Sequence, residues 1–91
     1  MEITGVHIVR VADASAKLRA YASITFDGCF VVRDLKVILG NDGALFVAMP
    51  SKKRKDGHFA DIAHPLNAET RVRIEAAILA AYERATAATP A

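Results

Sequence analysis

Four consecutive cationic side chains, Lys52-Lys53-Arg54-Lys55, are the densest chemical feature of this 91-residue sequence. Adjacent cations release several counterions when they meet a polyanion, so the run reads as a phosphate-contacting loop. It reads equally well as a solvated turn that keeps a small domain soluble. Arg71 and Arg73 fall in the first turns of an expected helix. The macrodipole disfavours cations there, while the free N–H groups at a helix start favour phosphate. The competing role is ion pairing along the helix: Arg71 stands four residues before Glu75, and Arg73 four after Glu69. The candidate nucleic-acid-binding residues are therefore Lys52, Lys53, Arg54, Lys55, Arg71 and Arg73.

The remaining reactive side chains suggest no catalyst. His58, Asp61 and His64 recur at three-residue steps, which is ligand-like spacing on a helix. Asp56-Gly57 and Pro65 argue against a helix there, and on a strand the three would diverge. Asp61 reads instead as a brace for a loop. Cys29 follows a turn signal and reads as a small buried hydrophobe. No glycine-rich phosphate cradle, G-x-S-x-G elbow or H-E-x-x-H motif occurs. The expectation is a protein that is not an enzyme and takes no cofactor and no metal.

Composition bounds the rest. The chain is 53% hydrophobic and 24% charged with a net charge of +2, which excludes disorder and fits one domain. A single Cys excludes a disulfide framework and a cysteine zinc cage. No apolar run approaches the ~18–20 residues that span a bilayer. Met1-Glu2-Ile3-Thr4-Gly5 lacks the features of a signal peptide, so the expected location is cytoplasmic, away from membranes. Residues 1–50 balance five Lys/Arg against five Asp/Glu, whereas residues 51–73 hold six against three. The positive charge is thus concentrated in one quarter of the chain.

The elements that must position these cations are mostly strands. Ile3 to Val11 is apolar and β-branched, and adjacent Ile8 and Val9 predict a bulge or a two-sided strand. Asp13 to Ala16 reads as a loop. Leu18 to Phe26 alternates strictly, with Leu18, Ala20, Ala22, Ile24 and Phe26 on one face and Arg19, Tyr21, Ser23 and Thr25 on the other. Asp27-Gly28 predicts a tight hairpin. Cys29 to Leu39 is apolar on both sides, with Val32 assigned to one face and Leu35 and Val37 to the other. Gly40-Asn41-Asp42-Gly43 makes the next turn, and Ala44 to Met49 is a strand that Pro50 ends. Residues 51–66 read as a polar loop that has room for a short strand at His58–Ile62. Asn67 caps a helix with Glu69 in its first turn. Its inner stripe is Thr70, Ile74, Ala77, Ile78, Ala81, Tyr82 and Ala85, and Val72 and Leu79 lie on the far side. The predicted fold is α+β: an antiparallel β-sheet of four to five strands with one C-terminal α-helix packed on it. Residues 1–86 form the domain and 87–91 a flexible tail. So short a chain buries a limited fraction of its surface, so a dimer that extends the core is expected.

Four stretches taken together resemble a known family. They are Leu18-Arg19-Ala20-Tyr21-Ala22-Ser23-Ile24-Thr25, Phe30 to Ile38, Gly43-Ala44-Leu45-Phe46-Val47-Ala48-Met49-Pro50-Ser51, and Asp61-Ile62-Ala63-His64-Pro65-Leu66-Asn67. In that order they resemble the SpoVG family, the bacterial septation and stage V sporulation protein G regulators, over roughly residues 1–84. The resemblance implies a homodimer formed through the sheet and a site-specific DNA-binding, and also RNA-binding, regulator linked to cell division septation and sporulation. It implies nucleic-acid contacts at Lys52, Lys53, Arg54, Arg71 and Arg73. Two positions depart from the pattern: Arg54-Lys55 stands where members often carry Thr-Pro, and His58 where they often carry an acid. The loop is thus more basic than usual, and the chain ends in a neutral Ala/Thr stretch rather than a longer acidic tail. The rival expectation is a protein-interaction module that meets a division-machinery protein during septum assembly without direct nucleic-acid readout.

Overall fold

The computed structural model describes residues 1–11 and 17–88. The expected loop at Asp13 to Ala16 lies outside the described residues, as do residues 89–91 of the expected tail. Among the described residues, six strands precede one helix: β1 Ile3–Arg10, β2 Leu18–Phe26, β3 Phe30–Leu39, β4 Leu45–Ala48, β5 Ser51–Lys53, β6 Phe59–Asp61 and α1 Ala68–Ala88. The first four form an antiparallel sheet in the order β1-β2-β3-β4. The last two form a separate two-stranded sheet.

The β2 pattern is realised as written. Ala20, Ala22, Ile24 and Phe26 are buried, and the intervening Tyr21, Ser23 and Thr25 face away from the core. The Asp27-Gly28 turn has φ of 53° and 64°, the pair of positive angles that matches the twist of a tight hairpin. Asp27 also accepts the Glu2 N–H through Oδ1 at 2.8 Å, which ties the turn to the start of β1. In β1, Ile8 packs inward and Val9 outward, so the adjacent apolar pair reflects a two-sided strand. The irregularity of that strand lies between Ile3 and Gly5 instead.

β3 departs from the expected alternation. Ala22 pairs with Leu35 and Ile24 with Val32, so Arg33 and Asp34 together oppose Ser23. This is a β-bulge, with Asp34 at φ 65°. The extra residue shifts the phase of the strand, and Val32 packs on the same core as Leu35 and Val37. The assignment of Val32 to the opposite face was therefore incorrect. Cys29 lies in the turn before the strand and is exposed, not buried.

Asn67 caps α1, its Oδ1 accepting the Thr70 N–H at 2.8 Å, which satisfies one of the unpaired donors at the helix start. Ile74, Ile78, Ala81 and Tyr82 bury against the sheet. Leu79, placed on the far side by periodicity, is half-buried on this core, while Val72 remains 66% exposed. The helix continues to Ala88, into the segment read as tail.

Candidate nucleic-acid interface

The cationic run is divided: Lys52 and Lys53 lie on a strand, and Arg54 and Lys55 lie in the hairpin loop that follows it. Ser51, Lys52 and Lys53 pair with Asp61, Ala60 and Phe59, making a β-ribbon: β6 falls within the short strand allowed at His58–Ile62, and β5 replaces part of the expected polar loop. At its tip the Arg54 N–H donates to His58 O at 2.7 Å and the Gly57 N–H to Arg54 O at 3.0 Å. Gly57 has φ 90°, the left-handed position that closes a three-residue hairpin loop and that favours glycine. Asp56 Oδ1 accepts the His58 N–H at 3.0 Å, and its Oδ2 lies 3.4 Å from His58 Nδ1.

The ribbon leaves the edge strand β4 through Met49 and Pro50, both buried. At its base the Ile62 N–H donates to Pro50 O at 2.7 Å. Neither β5 nor β6 packs broadly on the helix or the main sheet. Every residue from Ser51 to Phe59 is exposed. Lys52, Lys53, Arg54 and Lys55 border one shallow recess with Ala60, Asp61 and Ile62. Among the described residues, none of the four has a side-chain hydrogen bond or ion pair. The charge is therefore projected outward rather than spent inside the molecule.

Arg71 and Arg73 lie on the first turns of α1, joined to the ribbon base by residues 62–67. Arg71 is half-buried and Arg73 exposed. Neither forms the expected pair with Glu75 or Glu69; Arg73 Nη2 donates instead to Met1 O at 3.4 Å. The structure gathers Lys52 to Lys55 on one ribbon and Arg71 and Arg73 on one helix turn, with no bond between the two groups. Beneath the helix start, Met1, Phe26, Val32, Met49, His64 and Ile74 help to line a recess of about 180 Å³. Phe59, Ile62 and Leu66, on the ribbon and the connection after it, are 70%, 68% and 90% exposed.

A second surface has no counterpart in the six candidate residues. The sheet face turned away from α1 carries Val9, Tyr21 and Lys36 in one cross-strand row, and Phe46 beside Ile38. Sequence periodicity assigned it a single aromatic. Phe46 joins Tyr21 there only through the β3–β4 register, which no local pattern in the sequence encodes. Among the described residues, no three His, Cys, Asp or Glu side chains group closely enough to hold a metal ion. Among the described residues, no helix is long and apolar enough to cross a membrane.

A helix-on-sheet body that carries an unsupported cationic β-ribbon at its edge defines the architecture: a small α+β domain whose densest positive charge is presented on an arm. The SpoVG family model matches residues 1–84, and the chain belongs to that family. It is 64% identical to "Putative septation protein SpoVG" of Anaeromyxobacter sp. (strain Fw109-5) over 84 residues, covering 92% of this chain and 84% of the relative. The protein of the same name from Bdellovibrio bacteriovorus is 63% identical over 84 residues, 92% of this chain and 75% of the relative. "Putative septation protein SpoVG 1" of Listeria monocytogenes serotype 4b is 57% identical over 83 residues, 91% of this chain and 79% of the relative.

Proposed function

We propose that the chain is a homodimeric, site-specific DNA-binding and RNA-binding regulator, linked to septation and sporulation, that acts by binding rather than by catalysis. One observation carries this reading: four consecutive cations project from a ribbon without an acidic partner or apolar cover. A two-stranded ribbon is narrow enough to enter a major groove, and its cations engage the phosphates on either side. These contacts set affinity and position but carry no sequence information. Base preference falls to Arg71 and Arg73, whose guanidinium groups can donate to base edges. The exposed Phe59, Ile62 and Leu66 give a second copy apolar surface to cover. Two copies related by a twofold axis would present two ribbons to one duplex. The link to septation rests on the name its relatives share.

The test is an anisotropy titration with random duplex DNA and with RNA, between about 50 and about 200 mM salt. Binding that weakens steeply with salt supports the reading. Absence of binding at the lowest salt overturns it. The exposed apolar side chains also favour a second reading, a module that meets a division-machinery protein during septum assembly. Association with such a protein that survives nuclease treatment, with no affinity for duplex or RNA, would select that alternative.

A further inference from the structure

We propose that the outer face of the four-stranded sheet is a second nucleic-acid site, one that takes an unpaired base of a single strand against Tyr21 and the β3 bulge. This inference rests on the nucleic-acid reading above but concerns a different surface. Side chains directly opposite across strands share a face. The register therefore places Val9, Tyr21 and Lys36 in one outward row, with Phe46 and Ile38 in the next. Tyr21 is 43% and Phe46 45% exposed, so two aromatic rings stand uncovered on one sheet face. Rings held on a rigid sheet offer stacking surfaces to bases of any sequence.

Beside Tyr21 lies a recess of about 240 Å³ lined by His7, Val9, Tyr21, Ser23, Arg33 and Asp34. Its composition fits a nucleobase. Val9 and the tyrosine ring supply apolar contact for a flat heterocycle. The Arg33 guanidinium offers paired donors, the Asp34 carboxylate accepts from an exocyclic amine, and Ser23 and His7 can do either. The bulge makes this grouping: it sets Arg33 and Asp34 together opposite Ser23 and holds Asp34 at φ 65°, a conformation side chains rarely adopt. Bulges commonly re-aim side chains at binding sites.

Charge decides the occupant. Arg33 and Lys36 outnumber Asp34 on this face, and among the described residues Lys36 has no side-chain partner. A polyanion is complementary to that balance. A second copy would bring its own Arg33 and Lys36 onto the same surface. A duplex keeps its base faces stacked inside, so only a single strand can use the rings.

The test uses the full chain with a labelled single strand of about 12 nucleotides, as RNA and as DNA, and with the matching duplex. The sequence has no Trp and two Tyr, and Tyr82 is buried, so a change in tyrosine emission on binding reports on the exposed Tyr21. Stacking should quench that emission in parallel with the anisotropy rise. Tyr21→Ala should weaken single-strand binding about 5- to 150-fold and leave duplex binding unchanged. Tyr21→Phe should retain binding, and Arg33→Gln should lose several-fold; circular dichroism verifies that each variant is folded. The RNA and DNA arms identify which strand is preferred. If the parent binds neither duplex nor single strand, the underlying reading fails and takes this one with it. If duplex binding stands while Tyr21→Ala binds single strands like the parent, or the emission is not quenched, only this inference fails. It fails equally if Tyr21→Ala, read by sedimentation, turns a dimer into a monomer, for the face would then join two subunits.

Discussion

The body and the ribbon of this protein are held together by opposite means. In the body, α1 lays Ile74, Ile78 and Tyr82 on a sheet whose inner side chains are nearly inaccessible. The ribbon has only its own ladder, a glycine-closed tip and a clamp at its base. An isolated two-stranded hairpin is marginally stable in water. The difference separates two kinds of mutation. Changes in the body alter whether the chain folds, and changes in the ribbon alter the charge that the folded chain presents.

The comparison can be broken most forcefully from the body. Ile78 is fully buried, and Ile78→Ala should destabilise the fold by about 3 kcal/mol, read by urea unfolding. The fraction still folded should keep its affinity for duplex DNA; a loss there would join the two regions that the structure separates. Replacing Lys52, Lys53, Arg54 and Lys55 together by Ala should do the reverse. Duplex affinity should fall about tenfold or more, and the slope of log affinity on log salt should drop by roughly 0.9 for each phosphate contact removed. Unfolding free energy should stay within about 0.5 kcal/mol per exposed site. An unchanged salt slope would remove the ribbon from the interface.

Smaller effects sharpen the boundary between the regions. Asn67→Ala deletes the cap at the junction of ribbon and helix and should cost about 1 kcal/mol of global stability by thermal or urea melting. Gly57→Ala places a side chain at φ 90° and should open the ribbon tip. Its signature is faster hydrogen exchange at the Arg54 amide, with global stability changed by less than about 0.5 kcal/mol. A large global loss from Gly57→Ala would show that the body depends on the ribbon.

The same contrast explains what the sequence revealed. The β2 alternation, the Asp27-Gly28 turn and the Asn67 cap were legible because each is a local rule with a local residue signature. Of the β5–β6 ribbon, β6 was legible as the short strand at His58–Ile62, whereas β5 was not, because Ser51, Lys52 and Lys53 bury neither face and so leave no hydrophobic period. The bulge was hidden because Asp34, not glycine, occupies the left-handed position. Leu79 was misplaced because periodicity gives an angle around the helix, not how far the core extends along it. Within the candidate site, the cluster Lys52 to Lys55 was visible, but its ribbon geometry and the placement of Tyr21 and Phe46 on one sheet face depend on long-range register.

Chain enters and leaves the arm at nearly one point, where Pro50 and Ile62 are joined by a hydrogen bond. Everything between them can be shortened, lengthened or recharged without disturbing the ladder of the main sheet. The arm is therefore a cassette set on the scaffold: residues 51–61 can be rewritten while every strand of the main sheet keeps its neighbour.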